Sequence, residues 1–513
     1  MLSEQPVLGT RGMVACAHYL ATQAGLSILT QGGNAVDAAI AANAAMTVVY
    51  PSTCSAGGDI FMLIWEAKSQ RLHALNGSGR APSRMTPEYF MSRDMKEIPE
   101  RGPLSVNVPG AVDGWFEALK AWESTASVFF PGGRLLQPGT ILRQPDLART
   151  YRTLAKEGRD AFYRGPLGRT ITEYVQSCGG VLSMEDMQQH RSDWVEPLTT
   201  NYRGYDIYEF PPNSQGIAAL EMLNILEGYD LRSLGHQTAE YLHLMLEAKK
   251  LAFADRDRYV SDPAFVDVPV EHLLSKTYAA EQRARINPRK ATPYFAAGLE
   301  KDGDTMYLCV ADNKGNVVSL IQSLYNGFGS GIIGGNTGVL LQNRGSYFSL
   351  DPRHVNYLQP GKRTMHTLTP AMALKNGTPY LALGSMGGDA QPQIHVQVLS
   401  AIIDFGLNVQ QAISAPRWRS GPVRAASPHK GQEVSGQRSL DEHLERKIAE
   451  VVSMERRFLS GVPLELDLLG HQTIVEGLWE DRMGHAQAIL INPNTHIFEG
   501  AADPRCDGLA LGW

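Results

Sequence analysis

Few residues in this chain stand at spacings that chemistry requires. The glycine-rich run Gly327-Phe328-Gly329-Ser330-Gly331, with Gly334-Gly335 close behind, has the composition of a phosphate-cradling loop. It lacks the Lys-Ser/Thr ending that grips phosphates, so it reads as tight turns. There is no GxSxG elbow and no HExxH pattern, and the fourteen histidines are scattered without ligand spacing. No metal or other cofactor is therefore expected. Thr305 is the most informative position. It opens a β-rich run directly after a polar connector, where a buried strand has no need of a hydroxyl. By pattern alone it is a strand-edge threonine. By the same measure Ser323 is an outward strand serine, and Gly387-Gly388 is a turn after a strand.

The elements that would carry these residues follow from periodicity. Apolar residues at helical spacing predict a helix over 15–29, stopped by Gly32-Gly33, and a second, Ala-rich and almost wholly buried helix over 35–49. Residues 60–65 and 72–76 read as strands around a charged turn, and 113–122 as a helix. The Ser-, Gly- and Pro-rich stretch 123–144 has no period and reads as loop. Helical patterns return over 144–187, 216–227 and 238–258, with a short strand at 205–210 between them. Residues 283–304 form a polar connector rich in Asn-Pro and Asp-Gly punctuation. Beyond it lie three hairpins: 306–311 with 317–324, 371–374 with 380–383 across Asn376-Gly377, and 486–492 with 496–499. A helix is expected over 394–405. The pattern predicts stacked layers of helix and sheet.

Composition narrows the function classes. The chain has 513 residues, 43% of them hydrophobic and 19% charged, enough for a sizeable core. Its net charge of −6 argues against a nucleic-acid partner. The longest apolar stretch, 38–50, is too short to span a bilayer. The first residues lack the basic and apolar regions of a secretory leader. The cysteines, Cys16, Cys54, Cys178, Cys309 and Cys506, are odd in number and contain no CxxC pair. Reduced thiols and a cytoplasmic location are the expectation.

Longer motifs carry a resemblance. Residues 303–317 (GDTMYLCVADNKGNV) and 323–332 (SLYNGFGSGI) resemble the start of the small subunit in the gamma-glutamyltransferase (glutathione hydrolase) family. Residues 32–40 (GGNAVDAAI), Gly57-Gly58-Asp59 and 108–112 (VPGAV) resemble its large subunit; 384–388 (GSMGG) and Ala502-Asp503-Pro504-Arg505 resemble its small subunit. The motifs span nearly the whole chain in the family's order. The resemblance implies an α+β fold, the four-layer αββα sandwich of N-terminal-nucleophile hydrolases. It also implies a precursor that cuts itself between Asp304 and Thr305 into fragments 1–304 and 305–513, which interleave into one globular unit. The freed α-amine of Thr305, with an ordinary pKa of about 7.7–8.0, would then serve as base for its own hydroxyl. By the same resemblance Gly387 and Gly388 offer backbone N–H groups to the tetrahedral oxyanion, and Ser323 orients the nucleophile.

The glutamyl-recognition positions depart from the family pattern. Tyr347 stands where glutamyl-specific members place an Asp, and Tyr325 where they place an Asn. His366-Thr367 replace a pair of serines. Alignment on Ala81-Pro82 puts Ser78 at the position of an Arg, with Arg80 two residues later. A charge-assisted hydrogen bond contributes roughly 1.5–3 kcal/mol, so losing the Asp and Arg contacts would cut γ-glutamyl selectivity by orders of magnitude. Arg344, Arg363 and His366 remain as candidates for binding a carboxylate, the plain alternative for both arginines being an ion pair. This set resembles an acylase-like branch of the family. The implied substrate is a small amide or γ-glutamyl-like acyl donor, with hydrolysis of a carboxyl-amide such as oxamate, cephalosporin side-chain hydrolysis, or an uncut ligand-binding relative as alternatives. The partners expected are the two fragments themselves and a second copy in a homodimer. The 123–144 stretch is shorter than in other members.

Overall fold

The computed structural model describes residues 4–121, 144–293, 304–422 and 450–513. The strands are β1 (Val7–Gly9), β2 (Gly12–Cys16), β3 (Asp59–Glu66), β4 (Arg71–Gly77), β5 (Asp193–Val195), β6 (Leu198–Tyr202), β7 (Tyr205–Glu209), β8 (Asp304–Asp312) and β9 (Val317–Tyr325). They continue as β10 (Ala371–Lys375), β11 (Thr378–Ser385), β12 (Trp418–Pro422), β13 (Glu450–Met454), β14 (Thr473–Val475), β15 (Ala486–Ile491), β16 (Phe498–Ala502) and β17 (Leu509–Gly512). Two seven-stranded sheets result, ordered β1-β16-β15-β11-β10-β7-β6 and β17-β2-β8-β9-β3-β4-β5. Every neighbouring pair within them is antiparallel. Each sheet takes strands from both sides of position 304.

Alternation along β8 shows how the sheets are used. Met306, Leu308 and Val310 point into one core with the helices Tyr19–Thr30 and Ala35–Val49. Tyr307, Cys309 and Ala311 point the other way, into a core shared with Met372, Ala382 and Ile489 of the opposing sheet. That opposing sheet packs its outer face on the helices Gly216–Leu226, Ala239–Tyr259 and Gln391–Ile403. A strand's period of two thus delivers odd-numbered β8 residues, Thr305 among them, to the space between the sheets.

The helix Ala35–Val49 anchors the strands that matter. Asn34 accepts from the N–H groups of Val36 and Asp37 while Asp37 returns to the Asn34 N–H, a reciprocal cap. Asp312, in the β8–β9 turn, accepts from Lys314, Asn316 and the Ala35 N–H at 2.9 Å, so the hairpin turn is tied to the positive end of that helix. In its middle, buried Asn43 donates to Gln322 Oε1 (2.9 Å) and accepts from Trp115 Nε1 (2.6 Å). Gln322 is the neighbour of Ser323, so this buried chain fixes β9 at the level of the site.

Differences from the sequence reading are local. The 15–29 helix begins only at Tyr19, because Ala15 and Cys16 close β2, a strand buried on both faces that shows no alternation to read. Asp304 belongs to β8 rather than to the connector. The helix expected over 113–122 runs Ala111–Ala121, and that over 394–405 runs Gln391–Ile403. Nearly all of the 123–144 stretch lies outside the described residues. No helix among the described residues is long and apolar enough to cross a membrane, and the five cysteines are free thiols.

Candidate active site

Register places three polar side chains in one row across three strands. Thr305 on β8 pairs with Ser323 on β9, and Ser323 pairs with Asp59 on β3. All three are buried and lie on the inter-sheet side of the pleat. A register shift between Asp304 and Thr305 breaks the ladder at the peptide bond where cleavage is expected. Such bulges re-aim a side chain and release local pairing. Thr305 Oγ1 has no hydrogen-bond partner among the described residues. Its hydroxyl is therefore an orphaned polar group in a packed interior, the kind of exception that calls for a functional account.

Around this row sits a second set. Ser323 Oγ accepts from the Tyr325 N–H (2.7 Å) and lies 3.4 Å from Arg344 Nη2. Arg344 Nη1 donates to Thr367 Oγ1 at 3.0 Å, and its guanidinium lies 4.3 Å from the centre of the Tyr325 ring. Arg344 is 1% exposed and makes no ion pair with any described carboxylate. Burial pulls its pKa down, while Tyr325 and Asp59 pull it back up. Tyr325 holds a positive φ of 87°, and its buried hydroxyl has no partner among the described residues. Tyr347, whose ring is 5.4 Å away, donates to Asp389 Oδ1 at 3.0 Å. Burial holds both phenols well above their ordinary pKa, so both stay neutral.

His366 is fixed in one tautomer. Its Nδ1 accepts from the Leu368 N–H (3.2 Å), which leaves Nε2–H to donate to Asp59 Oδ2 at 3.1 Å. Burial first, then Arg344 and Arg363, push its pKa well below the usual value, so the imidazole is neutral. Asp59 also accepts from the Gly79 N–H at 2.9 Å. Burial raises its pKa to about 7, against the opposing pull of Arg344 and of backbone donors.

The glycine pair closes the site. Gly387, at φ 138°, and Gly388, at φ 54°, lead into the helix Gln391–Ile403. Only glycine adopts the first of these angles readily. The Gly388 carbonyl accepts from Gln215 Nε2 at 2.9 Å, and the same nitrogen donates to the Thr367 carbonyl at 2.7 Å. Gln215 Oε1 accepts from Arg256 Nη1 (2.8 Å), which also reaches Asp389 Oδ1 (2.9 Å). A buried chain, Tyr347–Asp389–Arg256–Gln215, therefore grips the glycine turn.

Of the residues singled out from sequence, the structure gathers Thr305, Ser323, Tyr325, Arg344, Tyr347, His366 and Thr367 into one connected set. Arg363 and Arg80 are engaged elsewhere: both guanidinium groups pair with Asp193 Oδ2, at 2.6 and 3.0 Å, and Arg363 Nε also donates to the Ser78 carbonyl. Asp59, Gln215, Arg256 and Asp389 were not singled out as site residues. Asp59 lies within a family motif and Asp389 adjoins one, a signal the sequence carries; Gln215 and Arg256 carry none. The Ala502–Arg505 motif builds a buried ion cluster in which Asp503 pairs with Arg417 and Arg505, and Arg505 with Glu455. Among the described residues, His243, Glu247 and His471 are grouped closely enough to hold a metal ion. Their donor atoms are already engaged: the two imidazoles bond each other at 2.8 Å, and Glu247 accepts from Lys250.

Comparison with known proteins fits this geometry. The sequence model of the gamma-glutamyltranspeptidase family matches residues 21–126 and 117–513, and the chain belongs to that family. It is 38% identical to the glutathione hydrolase-like YwrD proenzyme of Bacillus subtilis, over 99% of both chains. It is 35% identical to the oxamate amidohydrolase proenzyme of Klebsiella pneumoniae, again over 99% of both. Among solved structures, a cephalosporin acylase from Bacillus halodurans superposes with a TM-score of 0.88 at 37% identity, covering 100% of this chain and 98% of that one. The relatives thus include hydrolases and acylases made as proenzymes.

Proposed function

We propose that this chain is the precursor of an N-terminal-threonine amide hydrolase and acyltransferase. The observation that carries the reading is the orphaned Thr305 hydroxyl, set opposite Ser323 at the break in the β8–β9 ladder. In the first reaction Thr305 Oγ attacks the Asp304 carbonyl carbon. The hydroxyl proton passes to the Thr305 nitrogen as the C–N bond breaks, leaving an ester. Water opens the ester to give the Asp304 carboxylate, the free hydroxyl and the Thr305 α-amine.

In turnover the neutral amine accepts the Thr305 Oγ proton, directly or through water, as Oγ attacks the substrate amide. Negative charge developing on the carbonyl oxygen is met by the N–H groups of Gly387 and Gly388. The leaving amine takes the proton, and the acyl-threonine ester is released by water or by an acceptor amine. Ser323, held by the Tyr325 N–H, orients the nucleophile. Tyr325, Arg344, Tyr347, His366 and Thr367 shape the acyl pocket, while Arg80 and Arg363 are taken up by Asp193. None of these steps calls on a cofactor.

The products are fragments 1–304 and 305–513, which stay together as one interleaved unit and pair as a homodimer in the cytoplasm. The succession of helices, sheet, sheet and helices supports a four-layer αββα sandwich of the N-terminal-nucleophile type. Intact mass and N-terminal sequencing after incubation at neutral pH test the proposal. A fragment beginning Thr305-Met306-Tyr307 is expected, together with amidase activity, and Thr305→Ala should lose both. A Thr305→Ala variant that kept processing and activity would refute it.

A further inference from the structure

We infer that Ser385 is a positioning residue for the oxyanion: its hydroxyl sets the plane of the peptide joining Met386 to Gly387, and with it the direction of the Gly387 N–H. The inference rests on the proposed role of that N–H as an oxyanion donor. In a trans peptide the C=O and the N–H point in opposite directions, so a group that holds one aims the other. Ser385 Oγ donates to the Met386 carbonyl at 2.6 Å. The Gly387 N–H, on the far side of the same peptide, has no acceptor among the described residues. Ser385 is fully buried at the end of β11, where a hydrogen bond is not weakened by solvent. A bond accepted by a peptide carbonyl also polarises the N–H opposite it, which makes that N–H a better donor. The Gly388 N–H is fixed differently. Its peptide carbonyl, that of Gly387, accepts from the Ala390 N–H at 2.9 Å. One donor is thus set by backbone and the other by a side chain.

A second support stands behind the turn. The β11–β15 ladder pairs Ser385 with Ala486, and one further bond, from the Met386 N–H to the His485 carbonyl at 3.2 Å, carries it to the edge of the turn. Gly484, at φ 82°, backs directly onto the Met386 carbonyl: a Cβ there would overlap that oxygen and stand 2.9 Å from Ser385 Oγ. The carbonyl therefore meets a hydroxyl donor and a backbone wall. Arg417 fixes the wall. Its Nη1 donates to the Gly484 carbonyl at 2.7 Å and to Asp503 Oδ2 at 2.9 Å, and the same Asp503 oxygen accepts from the Ala486 N–H at 2.8 Å. The buried Ala502–Arg505 cluster thereby gains a place in the site, since it backs the peptide that Ser385 aims. Gln215, by contrast, holds the carbonyl of Gly388, two peptides further on.

The test uses protein whose Thr305 N-terminus is complete by sequencing. It measures kcat and KM on acetyl, glutaryl and L-γ-glutamyl p-nitroanilides, and the affinity of the boronic acids of the same three chains by calorimetry. Ser385→Ala is expected to lower kcat and boronate affinity by a common factor of about 10–100, with KM within about threefold. Ser385→Cys, a weaker donor, should fall between it and wild type. Gly484→Ala, which displaces the Met386 carbonyl, should lower both at least as far as Ser385→Ala. A merely structural role would lower the thermal midpoint and leave kcat and boronate affinity of the folded protein in place. Processed Ser385→Ala with both quantities within threefold of wild type overturns the inference and leaves the nucleophile standing. A wild type that forms no Thr305 fragment sinks the nucleophile reading and this inference with it. If Ser385→Ala does not fold, a crystal structure of the processed wild type with the boronate decides. The boronate oxygen belongs about 2.7–3.1 Å from the Gly387 nitrogen, with the bond from Ser385 to the Met386 carbonyl kept. An oxygen bound elsewhere, or a Ser385 hydroxyl turned away, overturns the assignment.

Discussion

Gln215→Glu isolates the grip on the glycine turn. The substitution preserves side-chain volume and keeps an acceptor for Arg256. It removes both N–H donors, now 2.7 Å from the Thr367 carbonyl and 2.9 Å from the Gly388 carbonyl. Leaving the buried Thr367 carbonyl without this donor costs about 1–3 kcal/mol, the Gly388 carbonyl keeps only the Gln391 N–H, and each would also face a negative oxygen. That penalty is relieved most easily by a shift of the Gly387-Gly388 turn as a whole, where no Cβ resists a change of backbone angle. The N–H groups of Gly387 and Gly388, the proposed oxyanion donors, then shift with it. A displacement near 1 Å costs about 10²-fold, and complete loss of one donor about 10²–10³-fold. We expect kcat to fall by about 10²–10³ with a smaller rise in KM, because Gln215 holds the turn directly and touches the acyl pocket only through the Thr367 carbonyl. An acyl-boronate analogue of the tetrahedral state should lose affinity by a similar factor, which a merely loosened fold would not reproduce. The assay uses protein whose Thr305 N-terminus is shown to be complete by sequencing. A kcat within threefold of wild type on such protein would refute the role given to Gln215.

Gly387→Ala should lower the denaturation midpoint and kcat together, since φ 138° is strained for alanine and the new Cβ meets Ile394 Cδ1 at 3.1 Å; a cost of about 1–3 kcal/mol is expected. Asp59 gives a pH dependence. Its pKa rises to about 7 on folding, so the native state binds the extra proton and this group's contribution to stability falls as pH rises from about 4 to 7. The fall amounts to about 4 kcal/mol at most, and Asp59→Asn should gain on wild type over that window, measured by denaturation in a Thr305→Ala background. A gap that stays flat from pH 4 to 8 would contradict it. Asp503→Asn should cost about 3–5 kcal/mol, because Arg417 and Arg505 lose a fully buried counter-charge. Its thermal midpoint should fall well below that of a surface Asp→Asn control.

The hairpins were legible because their turns carry local chemistry. Asn376 and Gly377, both at positive φ, sit where the sequence puts the 371–385 turn, and Asp312–Asn316 close the β8–β9 turn as read. The helix Ala35–Val49 matches its expected span because its cap is written in adjacent residues. Strand β2 was not legible: with both faces buried, its apolar run joined the helical pattern after it. Strands β12 to β14 and β17 are short and draw their partners from far along the chain. The candidate site divides the same way. Thr305, Ser323 and the glycine pair came from motifs. Gln215 and Arg256 came only from coordinates, because what defines them is a hydrogen-bond partner more than a hundred residues away. The two arginines read alike in sequence, and only the position of Asp193 separates Arg363 from Arg344.

Both large sheets mix strands from before and after position 304, and β8, which starts there, lies between β2 and β9. A chain cut at that point would keep its shape while changing its molecularity. The intact chain finds its fold by a one-molecule search in which covalent linkage keeps the halves at high effective concentration. Once severed and unfolded, the same halves must meet by diffusion, each exposing sheet edges that await strands from the other. Recovery would then depend on dilution, and the cut protein would owe its persistence to the height of its unfolding barrier. On the proposed cleavage, the uncut chain would act as a single-use folding template, spent in making the two-fragment form.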